Sequence, residues 1–149
     1  MATFTDGFED LAVGNHGSRI DRPEFTLEVP SAHKTTLEAV KDPLSEIKPG
    51  VWVKYEWGSH SGEFDELTLT LKRDNVHRVW FVNYRTVAAE PCRFYDADGR
   101  QLGCAVLPIR SEAPVFFSSG MIAIKTIKVS VAAGPGPFIA FDDVMIETL

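Results

Sequence analysis

The stretch Phe64-Asp65-Glu66-Leu67-Thr68-Leu69-Thr70-Leu71-Lys72 decides the fold. Leu67, Leu69 and Leu71 alternate with Thr68, Thr70 and Lys72, and side chains that repeat every second residue lie on opposite faces of a strand. An apolar face backed by a polar one belongs to an antiparallel sheet with one side on a core. Outward from it the same period recurs. Val51, Val53, Tyr55 and Trp57 share one face, and Trp52, Lys54 and Glu56 share the other. Phe25, Leu27 and Val29 alternate with Thr26 and Glu28 until Pro30 stops the run. Val76 to Tyr84 is apolar on both faces and reads as a central strand. The parity of Ile122 and Ile124 against Ile127, Val129 and Val131 changes near Lys125-Thr126, which predicts a bulge. Leu37, Val40, Leu44 and Ile47 recur at helical spacing, with Thr35 or Thr36 as a cap, but Pro43 limits them to one short helix. Many short strands separated by Gly and Pro predict an all-β antiparallel sandwich with at most that one helix. Gly134-Pro135-Gly136-Pro137 is a rigid turn within the fold, and with no repeat or linker the whole of 1–149 is expected to be a single domain.

A chain of 149 residues is long enough to bury a real core. Fifteen basic residues against twenty-one acidic ones leave a net charge of −6. That balance argues against a nucleic-acid partner, which needs clustered Lys and Arg. No apolar run reaches the roughly 18 residues of a membrane span. The first residues include Asp6, Glu9 and Asp10 and lack an apolar core, so no signal peptide is expected.

Pro91 to Cys104 reads as a hairpin around Asp98-Gly99. Counting outward from a three-residue loop, Ala97 to Gly99, pairs Phe94 with Leu102 and Cys92 with Cys104. Directly opposed residues are close enough for a disulfide. The alternative is two small buried thiols on the core face.

Two motifs carry a family resemblance. Phe8-Glu9-Asp10 near the start and Phe138-Ile139-Ala140-Phe141-Asp142-Asp143-Val144 near the end resemble the terminal strands of galactose-binding-like jelly rolls. That group includes carbohydrate-binding modules, MAM-type extracellular domains and PEP-CTERM ectodomains. The hairpin around Tyr95-Asp96-Ala97 resembles one found in PEP-CTERM-type members. The resemblance implies a jelly roll with its first and last strands adjacent, an extracellular or cell-surface setting, and a calcium ion held between the ends. Carried over by position, the ion would take Glu9 and Asp142 or Asp143, with Asp10 as a further candidate. Such an ion would be structural, and carboxylates so crowded would otherwise repel one another. The competing expectation is that Arg19 or Arg22 neutralises them.

Catalytic chemistry finds little support. Gly58-Ser59-His60-Ser61-Gly62 has His rather than Ser at its centre and is no nucleophile elbow. Zinc-helix, phosphate-loop and dinucleotide motifs are missing, and His16, His33, His60 and His77 show no ligand spacing. Glu63 and Asp65 could in principle serve acid–base work on a sugar, but acidic loop residues are usually only solvated. Aromatic rings that stack on sugars offer a better lead. Trp52, Trp57, Trp80, Tyr55 and Tyr84 are candidates, with His60 beside Trp57; Trp52 stands out because its strand face is otherwise polar. The leading expectation is a non-catalytic binding module directed at carbohydrate. The alternative is a structural or assembly subunit of a bacterial surface or secreted complex, with a protein partner or a homo-oligomer.

Overall fold

The computed structural model describes residues 1–30, 35–41, 50–55, 64–85, 91–107, 113–132 and 136–149, with main chain alone at 35, 54–55, 64–65, 84–85, 113, 130–132 and 136–139. The first strands are β1 (Ala2–Asp6), β2 (Gly14–Asn15), β3 (Arg19–Asp21), β4 (Phe25–Glu28), β5 (Thr35–Val40), β6 (Gly50–Tyr55) and β7 (Phe64–Leu71). They are followed by β8 (Val76–Arg85), β9 (Cys92–Tyr95), β10 (Gln101–Ala105), β11 (Ala113–Ser118), β12 (Thr126–Ala132) and β13 (Gly136–Thr148). One sheet has seven strands in the order β11-β8-β13-β6-β5-β2, with β1 also on β13. The other has six, in the order β10-β9-β12-β7-β4-β3. Every pairing is antiparallel. Among the described residues there is no helix, and the two sheets form the expected all-β jelly-roll sandwich.

The alternations set the core. Leu67, Leu69 and Leu71 are buried against Phe25 and Leu27 on one side, and Thr68 and Thr70 stay half-exposed. From the facing sheet come Leu37, Val51, Val53, Val79, Phe81, Phe141 and Ile146. Phe117 of β11 crosses the interior to stack on Phe94 of β9, with centroids 4.1 Å apart and planes 11° apart. β8 lies between β11 and β13 as its two-sided apolarity predicts.

Two local expectations are corrected. Thr35–Val40 is a strand, not the start of a helix: Leu37 and Ala39 are buried together on one face, and the β-branched Thr35, Thr36 and Val40 suit a pleat. The remainder of that predicted helix, Leu44 and Ile47, lies outside the described residues. The parity change near Lys125 is not a bulge, because β12 begins only at Thr126. Ile124 enters the core from the preceding turn, its N–H donating to the Val76 carbonyl at 2.8 Å.

The position of β13 creates the feature that matters most for a site. On one side it runs along β8. On the other, β6 pairs with it as far as Phe141, and β1 takes over from Val144 to Thr148. Asp142 and Asp143 fall in the seam between those two neighbours. The ladder with β8 is irregular there, and Asp143 has φ +46°. Gly50 opens β6 at the seam with φ +137°, and a Cβ on it would meet the Phe141 carbonyl oxygen at 2.7 Å, so only glycine fits.

Candidate functional site

Where β1 ends, Asp6 accepts the Phe8 N–H at 2.9 Å and helps hold Phe8 at φ +57°. Asp6 also receives both Nε and Nη2 of Arg22, at 2.6 and 2.8 Å. Arg22 is only 8% exposed, lies 5.6 Å from the centre of the Phe8 ring, and also donates to Asp10. Hydrogen bonding to Asp6 is the main cause raising the Arg22 pKa, so the buried guanidinium is firmly charged. Its hydrogen bond to Asp10 in turn lowers that carboxyl below the usual range.

Glu9 turns the other way. Around Gly7, an added Cβ would sit 3.2 Å from Asp143 Oδ1 and 3.6 Å from Glu9 Oε1, so both carboxylates converge on one small hollow. The cavity there is about 370 Å³ and is lined by Glu9, Asp142 and Asp143 together with Val40, Lys41 and Gly50. Lys41 donates to the Glu9 carbonyl at 2.6 Å, and Asp142 accepts the Asp143 N–H at 2.9 Å. Of the four expected metal-site residues, three therefore share the cavity, and Asp10 is drawn off by Arg22. Among the described residues, no three His, Cys, Asp or Glu side chains gather closely enough to hold a metal by themselves. Two hard carboxylate donors over a glycine hollow still suit an oxygen-seeking cation that draws further ligands from carbonyls and water.

The aromatic candidates separate cleanly. Trp52 is 1% exposed and packs with Ala140 and Val40, so its ring offers no open face; the apparent oddity of a Trp on a polar face is a small second core. Trp57 and His60 lie outside the described residues, as does the side chain of Tyr84. Trp80 and Phe116 do meet on the outer surface of the seven-stranded sheet, as register partners with ring centroids 5.0 Å apart and planes tilted by 44°. Phe116 is 51% exposed and Trp80 half-buried. The row continues through Met145 to Thr5, which faces a further cavity of about 440 Å³. One row away, Arg78 and Glu147 pair at 3.1 Å. The opposite outer face differs in kind. There Glu66 takes Arg93 at 2.8 Å and Lys128 at 3.5 Å, and both cations lie near the Tyr95 ring.

Phe116 escaped the sequence reading although a signal was present. Two adjacent aromatics in a strand, Phe116 and Phe117, cannot both face the core.

The cysteines are not bonded. Cys92 is buried, Cys104 is exposed, and the register pairs Cys92 with Ala105 and Cys104 with Arg93. The loop forms as expected, with Tyr95 opposite Gln101, but the ladder slips by one residue between Gln101 and Gly103. A one-residue slip turns a side chain to the opposite face. Burial pushes the Cys92 thiol up to about 12.

No protein-family model and no curated protein matches the chain. Solved structures do. CBM29_1, a family 29 carbohydrate-binding module from Piromyces equi, is 10% identical over all of this chain and 93% of that one, with a TM-score of 0.56. A mutant of CBM29-2 complexed with mannohexaose is 8% identical over 97% of this chain and 92% of its own, with a TM-score of 0.53. The enzymatically active domain of bacteriophage CBA120 tailspike protein 4 is 15% identical over 85% of this chain but only 20% of its own length, with a TM-score of 0.52. At such identities the likeness is one of architecture: the chain folds as a jelly-roll sandwich similar to that of these carbohydrate-binding modules.

Proposed function

We propose that this chain is a non-catalytic carbohydrate-binding module whose contact surface is the Trp80–Phe116 face of the seven-stranded sheet. The observation that carries the reading is the exposed aromatic pair itself. An aromatic ring left half in water costs hydrophobic free energy that a stacked sugar would recover, and the polar Arg78–Glu147 pair beside it suits hydroxyls. The tilt between the rings suits a twisted glycan chain better than a flat crystalline surface. The architecture shared with carbohydrate-binding modules adds support by analogy. Titration with mannohexaose and a panel of neutral oligosaccharides, followed by tryptophan fluorescence and calorimetry, tests it. Phe116→Ala and Trp80→Ala should each weaken binding at least tenfold, about 1.4 kcal/mol, while the far-ultraviolet spectrum stays unchanged. Failure of every glycan to bind the wild type would remove the reading.

A structural calcium ion in the seam is the second part of the proposal. Glu9 and Asp143 would supply its side-chain ligands, with Asp142 alongside and Asp10 excluded by Arg22. Its chemistry is electrostatic: a divalent charge between the first and last strands. Calcium at about 100 times its dissociation constant should stabilise the fold by about 2.7 kcal/mol. Chelator should lower the melting temperature of the wild type, and Glu9→Gln should abolish that sensitivity.

The alternative, a structural or assembly subunit of a bacterial surface or secreted complex, draws on the same apolar row and on the likeness to part of a tailspike protein. Oligomers in native mass spectrometry that dissociate on Phe116→Glu would favour it.

A further inference from the structure

We infer that Arg22 is a positioning residue for the seam: by holding Asp6 and Asp10 it sorts the acidic N-terminal segment and aims Glu9 at Asp143. The inference rests on the calcium reading above and extends it to a residue on the other sheet's side of the sandwich. Arg22 follows β3 in the six-stranded sheet, anchored by its own N–H to the Phe25 carbonyl at 2.8 Å. Asp6 ends β1 in the seven-stranded sheet. The guanidinium thus bridges the layers at the point where the chain turns from β1 through Gly7, Phe8 and Glu9.

Each link in the turn depends on the one before. The fork of Arg22 fixes both oxygens of Asp6, and Asp6 Oδ1 accepts the Phe8 N–H. Phe8 is held left-handed, its ring edge-on to Phe25 at 5.9 Å, and its carbonyl accepts the Leu11 N–H at 3.1 Å. Asp10 is tied back by the same guanidinium. With Asp6, Phe8 and Asp10 committed, Glu9 is the acidic side chain of the turn directed to Gly7 and Asp143. The three carboxylates of the turn are thereby split: Asp6 and Asp10 go to the guanidinium, and Glu9 joins Asp143 at the open hollow.

This role has a sign opposite to simple electrostatics. If Arg22 acted only through its charge, its removal would free two carboxylates beside the seam and tighten calcium binding. If it positions Glu9, its removal loosens the turn and weakens binding. Calcium titration calorimetry on the full chain, with melting followed in calcium and in chelator, separates the two. Arg22→Gln should weaken calcium binding about 10–100-fold, the usual range for residues that orient metal ligands. Arg22→Lys keeps the charge but loses the fork and should also weaken it, by less. Arg22→Lys also covers the case in which Arg22→Gln does not fold, because a role through charge alone predicts no loss of calcium affinity for it. Wild-type protein that takes no calcium overturns the metal reading and this inference with it. Wild-type protein that binds calcium, with variants that bind as tightly or more tightly, leaves the metal reading standing and overturns the role of Arg22.

Discussion

Gly103 is where a single missing atom group matters most. An ideal Cβ there would sit 2.6 Å from Cε2 of Phe117, the ring that stacks on Phe94 across the sandwich. Gly103→Ala must therefore push apart the Phe94–Phe117 stack, which joins the two sheets. It should destabilise the protein by about 1–3 kcal/mol, seen as a melting temperature several degrees lower. The two thiols offer a second test at this scale. Cys92 has its pKa raised by burial to about 12, so it stays protonated and unreactive at pH 8, whereas Cys104 is exposed. A thiol reagent at pH 8 should titrate one cysteine in the native protein and two after denaturation. Modification of both in the native state would mean that the hairpin register is wrong.

The elements show which parts of the structure can be read from sequence. Strict alternation in β7 was legible because Leu67, Leu69 and Leu71 are buried while Thr68 and Thr70 stay half-exposed. In β4 and β6 the inward Phe25, Leu27, Val51 and Val53 were legible even though Thr26 and Trp52 on the other face are buried as well. β8 was legible because a central strand is apolar on both sides. The Thr35–Val40 strand was not, because Leu37 and Val40 fit helical spacing as well as Leu37 and Ala39 fit a pleat, and only pairing with β6 decides between them. The disulfide failed for a different reason. Turn chemistry at Asp98-Gly99 fixes the loop, with Asp96 accepting N–H groups from Asp98 and Arg100 at 2.9 Å each, but nothing in the sequence marks the slip after Gln101. The acidic ends were recognised from the family resemblance, while their division by Arg22 emerges only when β1 and β3 are brought together. One edge element carries a pH signature. Asp21, at the end of β3, meets Lys72 Nζ at 2.7 Å, and that hydrogen bond lowers its pKa from 3.8. A carboxyl lowered in the folded state contributes stability that is present above its unfolded pKa and lost as pH falls through the folded one. Asp21→Asn should thus be slightly less stable than wild type at neutral pH, and the difference in melting temperature should close as pH drops below 3.8.

At the scale of the whole molecule, the two outer faces divide the work. The six-stranded sheet presents Glu66 paired with Arg93 and Lys128, while the seven-stranded sheet presents the Trp80–Phe116 rings with the Arg78–Glu147 pair one row away. Surface substitutions should follow that division. Lys128→Ala should leave glycan affinity unchanged, in contrast to the loss expected for Phe116→Ala. The pairing of β1 with the end of β13 has a consequence of another sort. Ala2 lies opposite Thr148, so the chain enters and leaves the sandwich at one spot. A linker of a few glycines and serines could close the backbone into a ring, which could then be cut at the exposed Asp98-Gly99 tip without disturbing either sheet. Such a circular permutant should refold and melt as one unit, and the same geometry would let this sandwich be spliced into a surface loop of a host protein like a bead on a hairpin.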